Sequence, residues 1–284
     1  MSLPACRPLL ALIATLLLLP ALSGCGGDDQ LILAIGTTVQ DSGLSEPLIQ
    51  LFENETGYDV KVIAVGTGQA LEMARRGDAD LVFTHAPAAE REFVAEGSGV
   101  DRRLVMYNDF VIAGPAGDPA GVADAADALD AYRRVADAGE PFISRGDDSG
   151  THKLELAIWA ELGIDAPGEG WYEETGAGMG VTLQVADQRD AYTMSDRGTY
   201  LSFTERLGLD LLFQGDPRLL NVYHVIRVNP DEVDGTNVEG AIALADFLVS
   251  PGAQALIGAY GVEAYGRPLF MPAAGLAEDE LTVP

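Results

Sequence analysis

The chain is poor in cysteine, in positive charge and in long apolar stretches, and each shortage excludes a class of protein. Cysteine occurs twice, as Cys6 and Cys25, too few for the stapled framework of a small exported domain. Lysine and arginine together number 17 against 44 aspartates and glutamates, and Lys61 and Lys153 are the only lysines. Nucleic-acid binding needs a basic footprint, so no nucleic-acid partner is expected. The histidines, His85, His152 and His224, stand apart in the chain and lack the spacing of a metal site; no metal and no cofactor is expected. There is no G-K-[ST] motif, and "GAGMG" (176–180) misses the dinucleotide spacing. Beyond the N-terminus no apolar run of membrane length is evident.

What the N-terminus does have is a leader. Residues 1–24 carry one charge, Arg7, then the apolar run "LLALIATLLLLPAL" and the sequence Leu22-Ser23-Gly24-Cys25. A basic start, a short apolar core and small residues before a cysteine form a secretory signal. It resembles a bacterial lipoprotein signal, in which Cys25 becomes the lipidated first residue and residues 25–30 a tether. About 260 residues remain, without a disulfide, enough for one large or two smaller packed domains. The acidic excess reads as a solvated coat; screening over ~10 Å at 0.1 M salt leaves a local anion site free of the global field.

Apolar and polar segments alternate along the rest. "LILAIG" (31–36), "DVKVIAVG" (59–66) and "DLVFTHA" (80–86) read as strands, with helices "LSEPLIQLFENETG", "TGQALEMARRGDA" and "AAEREFVAEG" after them and "TTVQDSG" as a loop. Strand, loop and helix in repetition predict an α/β fold with a parallel sheet. A long strand-rich segment (102–115) leads to the Ala-, Asp- and Gly-rich stretch "AGDPAGVADAADALD", the expected junction to a second α/β set. There, "PFISR" is a strand, Thr151–Leu162 a helix, and 209–230 a partly extended return. One last helix is expected over "NVEGAIALADFLVSPGAQALIGAYG". The division is lobe I, 31–112 plus 224–284, and lobe II, 113–223, with a cleft between them.

Polar chemistry gathers at four turns. "SRGDDSGTH" (144–152) opens a helix, and Ser149-Gly150-Thr151 is an N-cap pattern with backbone N–H groups directed out of the helix end. Such an end favours an anion. Gly150 permits close backbone approach, and Arg145 supplies a permanently charged fork. The plainer alternative is a capped helix whose Arg145 pairs with Asp147 or Asp148. "GTTVQDSG" (36–43), "VGTGQA" (65–70) and "ETGAGMG" (174–180) are turns of similar composition, where open α/β sheets bind ligands. Together they predict a cleft rich in donors and poor in acceptors, suited to a fully deprotonated oxyanion.

The segments "VGTGQALEMARRGDADLVFTHAPAAEREFVAEG", "VMYNDFVIAGP", "SRGDDSGTHKLELAIW" and "YTMSDRGTYLSF" strongly resemble the substrate-binding lipoprotein of tungstate ABC transporters, from about residue 31 to 272. The resemblance implies a two-lobed type II periplasmic-binding-protein fold with a two-segment hinge and an interlobe ligand cleft. It implies capture of tungstate for delivery to ABC permease subunits, attachment to the membrane through the lipid, and no catalysis; a monomer is expected. In that family the arginine and threonine of the Arg-Gly-Asp-Asp-Ser-Gly-Thr motif contact the oxyanion, which fall on Arg145 and Thr151. The expected ligand-binding residues are Thr37, Thr38, Thr67, Gly68, Arg145, Ser149, Gly150 and Thr151. One departure stands out: the family's first loop reads Thr-Thr-Thr-Ser, where this chain has Ile35-Gly36-Thr37-Thr38.

Three alternatives stay open. Molybdate differs little from tungstate in size and charge. Phosphate receptors also use an arginine followed by Ser-Gly-Thr, but phosphate carries a proton and wants a carboxylate acceptor, a role open to Asp41 or Asp148. More remote is a hydrolase using Ser149 and His152, since a serine and histidine three residues apart rarely form a triad.

Overall fold

The computed structural model describes residues 29–284. The signal at 1–24, Cys25 and most of the 25–30 tether lie outside the described residues, and Gln30 already belongs to the first strand. That strand, β1 (Gln30–Gly36), is followed by α1 (Thr37–Asp41), α2 (Ser45–Thr56), β2 (Asp59–Val65), α3 (Thr67–Arg75), β3 (Leu81–Thr84) and α4 (Pro87–Ala95). The long β4 (Gly99–Pro115) leads into the second set: α5 (Ala128–Ala138), β5 (Phe142–Ser144), α6 (Gly150–Glu161), β6 (Tyr172–Glu174), α7 (Met179–Gln188), β7 (Thr193–Asp196), α8 (Arg197–Phe203) and β8 (Leu209–Phe213). The chain returns on β9 (Leu220–Val228) and ends with α9 (Val238–Leu248), α10 (Pro251–Ala259), α11 (Val262–Tyr265) and β10 (Met271–Pro272).

The result is the expected two-lobed α/β architecture. In the first lobe β2, β1 and β3 are parallel, and β9, β4 and β10 continue the sheet as antiparallel strands. Alternate side chains feed two cores, as a pleated strand buried on both faces requires: Leu33 and Ile35 pack with Phe52, Leu244 and Leu248, while Ala34 packs with Leu71, Val82, Phe93 and Ile226. The second lobe repeats the device on β4. Phe110 and Ile112 join Tyr132, Phe142 and Trp159, whereas Val111 and Ala113 join Met179 and Leu183. Trp159 meets Tyr132 and Phe142 edge-on, with ring centroids 4.5 and 5.3 Å apart, a preferred aromatic geometry.

Strands β4 and β9 form the two-segment hinge. Up to Asp109, β4 pairs with β9 (Asp109 opposite Leu220); from Phe110 it pairs with β7 (Phe110 opposite Asp196). At this changeover Asp109, fully buried, accepts two hydrogen bonds from Arg197, Nε at 2.7 Å and Nη2 at 2.5 Å. Removing either partner would leave a buried charge unpaired, at a cost of about 3–5 kcal/mol.

Two local expectations are corrected. "TTVQDSG" contains the short helix α1 rather than a loop. Its β-branched residues have poor helix propensity, but Thr38 and Val39 are fully buried against the lobe, and packing decides. The last helix is two: after Leu248 the chain breaks, Ser250 accepts from the Ala253 N–H at 3.3 Å, and Pro251 starts α10, where a missing N–H costs nothing. Among the described residues no single helix is long and apolar enough to cross a membrane; α9 and the stretch from Pro251 to Tyr265 bend by 53°. Helices α2 and α5 end on Gly57 and Gly139 in the left-handed region.

Candidate functional site

All four turns lie at the carboxyl ends of strands and face one another across the seam between the lobes. Gly36, Gly66 and Gly178 are the extended N-caps of α1, α3 and α7, and none supplies a side-chain cap. The first N–H groups of these helices are therefore left for other acceptors. Helix α6 differs: the Ser149 hydroxyl accepts from the His152 N–H at 3.2 Å. Its own hydrogen remains free to donate.

Arg145 is the centre of the seam. Its side chain is 1% exposed although it is always charged. From the second lobe, Nη2 donates to the Thr37 hydroxyl at 2.5 Å and Nη1 to the Thr38 hydroxyl at 3.5 Å, both in the first lobe. Nη2 also donates to Asp147 Oδ2 at 2.5 Å, so the simpler reading of the motif, a capped helix with an Arg145–Asp147 pair, is present as part of the site. Arg145 Nε and the buried hydroxyls of Thr67 and Thr151 have no hydrogen-bond partner among the described residues. A buried donor left so is costly, and these three belong to turns that meet at the seam, where an acceptor would satisfy them.

Glycine allows the lobes to meet. A Cβ on Gly66 would stand 2.6 Å from the Asp147 carbonyl, and one on Gly150 2.6 Å from the His85 carbonyl. A Cβ on Gly68 would collide with the Asp148 side chain, while the Gly68 N–H donates to the Asp148 carbonyl at 3.3 Å. Gly68 and Gly150 thus act by close backbone approach. The altered first loop has a similar explanation: Ile35 is buried in the sheet, and a side chain at Gly36 would press on the His85 ring at 3.1 Å.

Two residues at the seam, His85 and Asp196, were not recognised as part of it, and Asp41 was named only as an acceptor for phosphate. His85, set aside with the other histidines as lacking metal-site spacing, is buried and stacked on Tyr223 at 4.9 Å. Asn221 uses its Nδ2 on Asn108 and Tyr223, which leaves its Oδ1 to accept from His85 Nδ1 at 2.8 Å. His85 Nε2 then accepts from the Thr38 hydroxyl at 3.4 Å and fixes it. Burial and the nearby Arg145 hold the imidazole neutral, its pKa lowered to about 4. Asp41 stands at the mouth: its Oδ2 is 3.4 Å from the position of a Gly178 Cβ, in the other lobe. Burial raises the Asp41 pKa, against the opposing pull of Arg145. Asp196 is fully buried; burial lifts its pKa to about 6, opposed by the adjacent Thr199 and by Arg145. The expected scarcity of acceptors is therefore corrected, because Asp147, Asp41 and Asp196 all border the donors. Asp148 faces outward and is paired with Lys153.

The hydrolase alternative fails on geometry. Ser149 meets the backbone N–H of His152, while the ring Nδ1 of His152 accepts from the Asp148 N–H at 3.1 Å. Among the described residues no group of three or more His, Cys, Asp or Glu side chains could hold a metal ion.

Two α/β lobes on a two-strand hinge, meeting over a buried arginine and a set of helix N-termini, define a type II periplasmic solute-binding protein. Residues 23–252 match the PBP superfamily domain model. The chain is 46% identical over 283 residues to "Tungstate-binding protein TupA" of Peptoclostridium acidaminophilum, covering 94% of this chain and 99% of the relative. Among solved structures, the tungstate ABC transporter of Geobacter sulfurreducens is 45% identical with a TM-score of 0.74, covering 83% of this chain and 100% of that one. The tungstate-binding protein TupA of Desulfovibrio alaskensis G20 is 40% identical with a TM-score of 0.71, covering 86% and 99%. The chain belongs to the PBP superfamily, in the family that includes the TupA proteins, and these are binding proteins rather than enzymes.

Proposed function

We propose that the chain is the extracytoplasmic solute-binding component of an ABC importer and that its cargo is tungstate. The observation that carries this reading is Arg145, buried and bridging the lobes to Thr37 and Thr38, together with the unpartnered buried hydroxyls of Thr67 and Thr151 at the starts of α3 and α6. Oriented N–H and O–H donors replace the hydration of a proton-free dianion as the lobes close. Arg145, Thr37, Thr67 and Thr151 supply side-chain donors; Thr38, Gly68, Ser149 and Gly150 contribute backbone and shape. Export by the signal at 1–24, a lipid on Cys25 that holds the protein to the membrane, delivery to permease subunits and a monomeric state complete the proposal. The lobes are 31–112 with 224–284, and 113–223.

Asp41 and Asp196 favour a second reading. Either carboxylate, when ionised, would accept a hydrogen bond from a protonated oxyanion, which suits hydrogenphosphate. Calorimetric titration of the full chain in detergent with tungstate, molybdate, phosphate and sulfate tests both. Tungstate or molybdate binding far more tightly than phosphate supports the first; the reverse order, or no binding of either oxometallate, overturns it.

A further inference from the structure

The most unusual group at the seam is Asp196. Its carboxyl is fully buried. One oxygen, Oδ1, accepts from the Thr199 N–H at 2.9 Å and caps α8, while Oδ2 has no hydrogen-bond partner among the described residues. Topology fixes its place. β5 and β7 run parallel through the Phe142–Tyr192 bridge, reinforced by the Thr193 hydroxyl donating to the Ile143 carbonyl at 2.7 Å. Counting onward from that bridge, Arg145 stands level with Ser195, the residue before Asp196. Its field includes Arg145 and, across the seam, Asp41.

A carboxyl in this place has two options when a dianion arrives. Ionised, it repels the guest from within a low-dielectric wall. Neutral, it adds an O–H donor, and its own desolvation penalty disappears. The other charged and titratable groups around it do not solve the problem. Arg145 is shared with Asp147, and Arg197 is committed to Asp109. Tyr223 on β9 keeps its phenol proton through burial and the nearby Asp196, and His85 is neutral. Asp41 adds negative charge.

We propose that Asp196 is the proton-carrying wall of the oxyanion site: its carboxyl takes one proton from solvent as the dianion enters and faces it as a neutral acid. The inference rests on the proposed oxyanion-binding function and adds a discriminator to it. A proton-free anion requires the uptake, whereas hydrogenphosphate brings its own proton and satisfies an ionised Asp196 directly. Burial lifts the Asp196 pKa only to about 6 in the free protein, so at pH 7.5 the group is mainly ionised and uptake is measurable.

The test is titration of the full chain with tungstate at pH 7.5 in several buffers of different ionisation enthalpy, repeated for D196N and D41N. Asparagine is a good N-cap, so D196N keeps the bond to Thr199; an unchanged Tm checks this. Wild type and D41N should take up close to one proton per anion, with affinity falling by up to about tenfold per pH unit above 7. D196N should take up none and bind with an affinity that is flat with pH. With phosphate as ligand the wild type should show no uptake. Tungstate binding without proton uptake, or uptake that survives in D196N, overturns this inference and leaves the binding function standing. Absence of heat with tungstate, molybdate, phosphate and sulfate alike overturns both.

Discussion

Replacing Arg145 by alanine is the perturbation whose size the structure constrains best. The guanidinium is 1% exposed and sits among unpartnered donors. A unit charge pair at ~4 Å is worth about 4 kcal/mol at an effective dielectric near 20, and truncating one member of a buried charged pair costs about 2–5 kcal/mol. Asp147, 2.5 Å from Nη2, already cancels part of the field felt by a ligand, which favours the lower half of that range. We expect R145A to weaken the bound oxyanion by about 3 kcal/mol, roughly 150-fold in Kd. D147N should act in the opposite direction by releasing the same charge. Because Asp147 would be left facing the anion in R145A, the double variant R145A/D147N should recover part of the loss, a coupling the mutant cycle reads directly. Calorimetry supplies the Kd values and thermal unfolding checks the fold. An R145A protein with intact Tm and a Kd within about threefold of wild type would refute the assignment of Arg145 as the main counter-charge.

Other consequences follow from the same geometry. Gly150→Ala is compatible with the helix, whose interior favours alanine, but places a methyl 2.6 Å from the His85 carbonyl; it should hold the lobes apart and weaken anion binding at least about tenfold by calorimetry, and an unchanged Kd would show that closure does not bring these backbones together. Glu155, buried and bonded by the Tyr172 hydroxyl at 2.7 Å, has its pKa raised to about 7 mainly by burial. The folded state therefore holds this proton more tightly than the unfolded chain, so the contribution of Glu155 is most favourable below the ordinary carboxylate range near 4.5 and declines as pH rises toward 7. E155Q should remove that contribution and gain up to about 2–3 kcal/mol relative to wild type near pH 8, read by denaturant titration; a difference between the two proteins that does not change over this window would contradict it. With 44 acidic against 17 basic residues, anion capture should slow at low ionic strength, and a stopped-flow on-rate constant across salt would show the field to be locally cancelled.

Much of this was legible in the sequence because it depends on local pattern. Alternating strands, the helix that closes on Gly57, and Ser149 before α6 follow from periodicity and capping chemistry, and the Arg145–Thr151 stretch read as a capped helix start behind an arginine. What was not legible depends on who meets whom across the seam. The Asp196–Thr199 spacing is a recognisable cap, but nothing in it says that the second oxygen is sealed in without a partner among the described residues. His85 matters because Asn221, 136 positions away, holds its tautomer, and Asp41 because the first turn of α7 comes from the other lobe. The short α1 was missed because burial of Thr38 and Val39 overrides their propensity, and the α9–α10 break because an apolar run through Pro251 has a helical period on both sides.

The central claim is that one anion is held between Thr37, Thr67, Arg145 and Thr151 by donors drawn from both lobes. Anomalous scattering at the tungsten edge from crystals grown with tungstate locates the ligand without reference to any assumption about it. A single strong peak is expected in the seam, within hydrogen-bonding reach of the Arg145 guanidinium and the Thr151 hydroxyl. A peak on the outer surface, or one in the seam whose nearest side chains exclude Arg145, would contradict it.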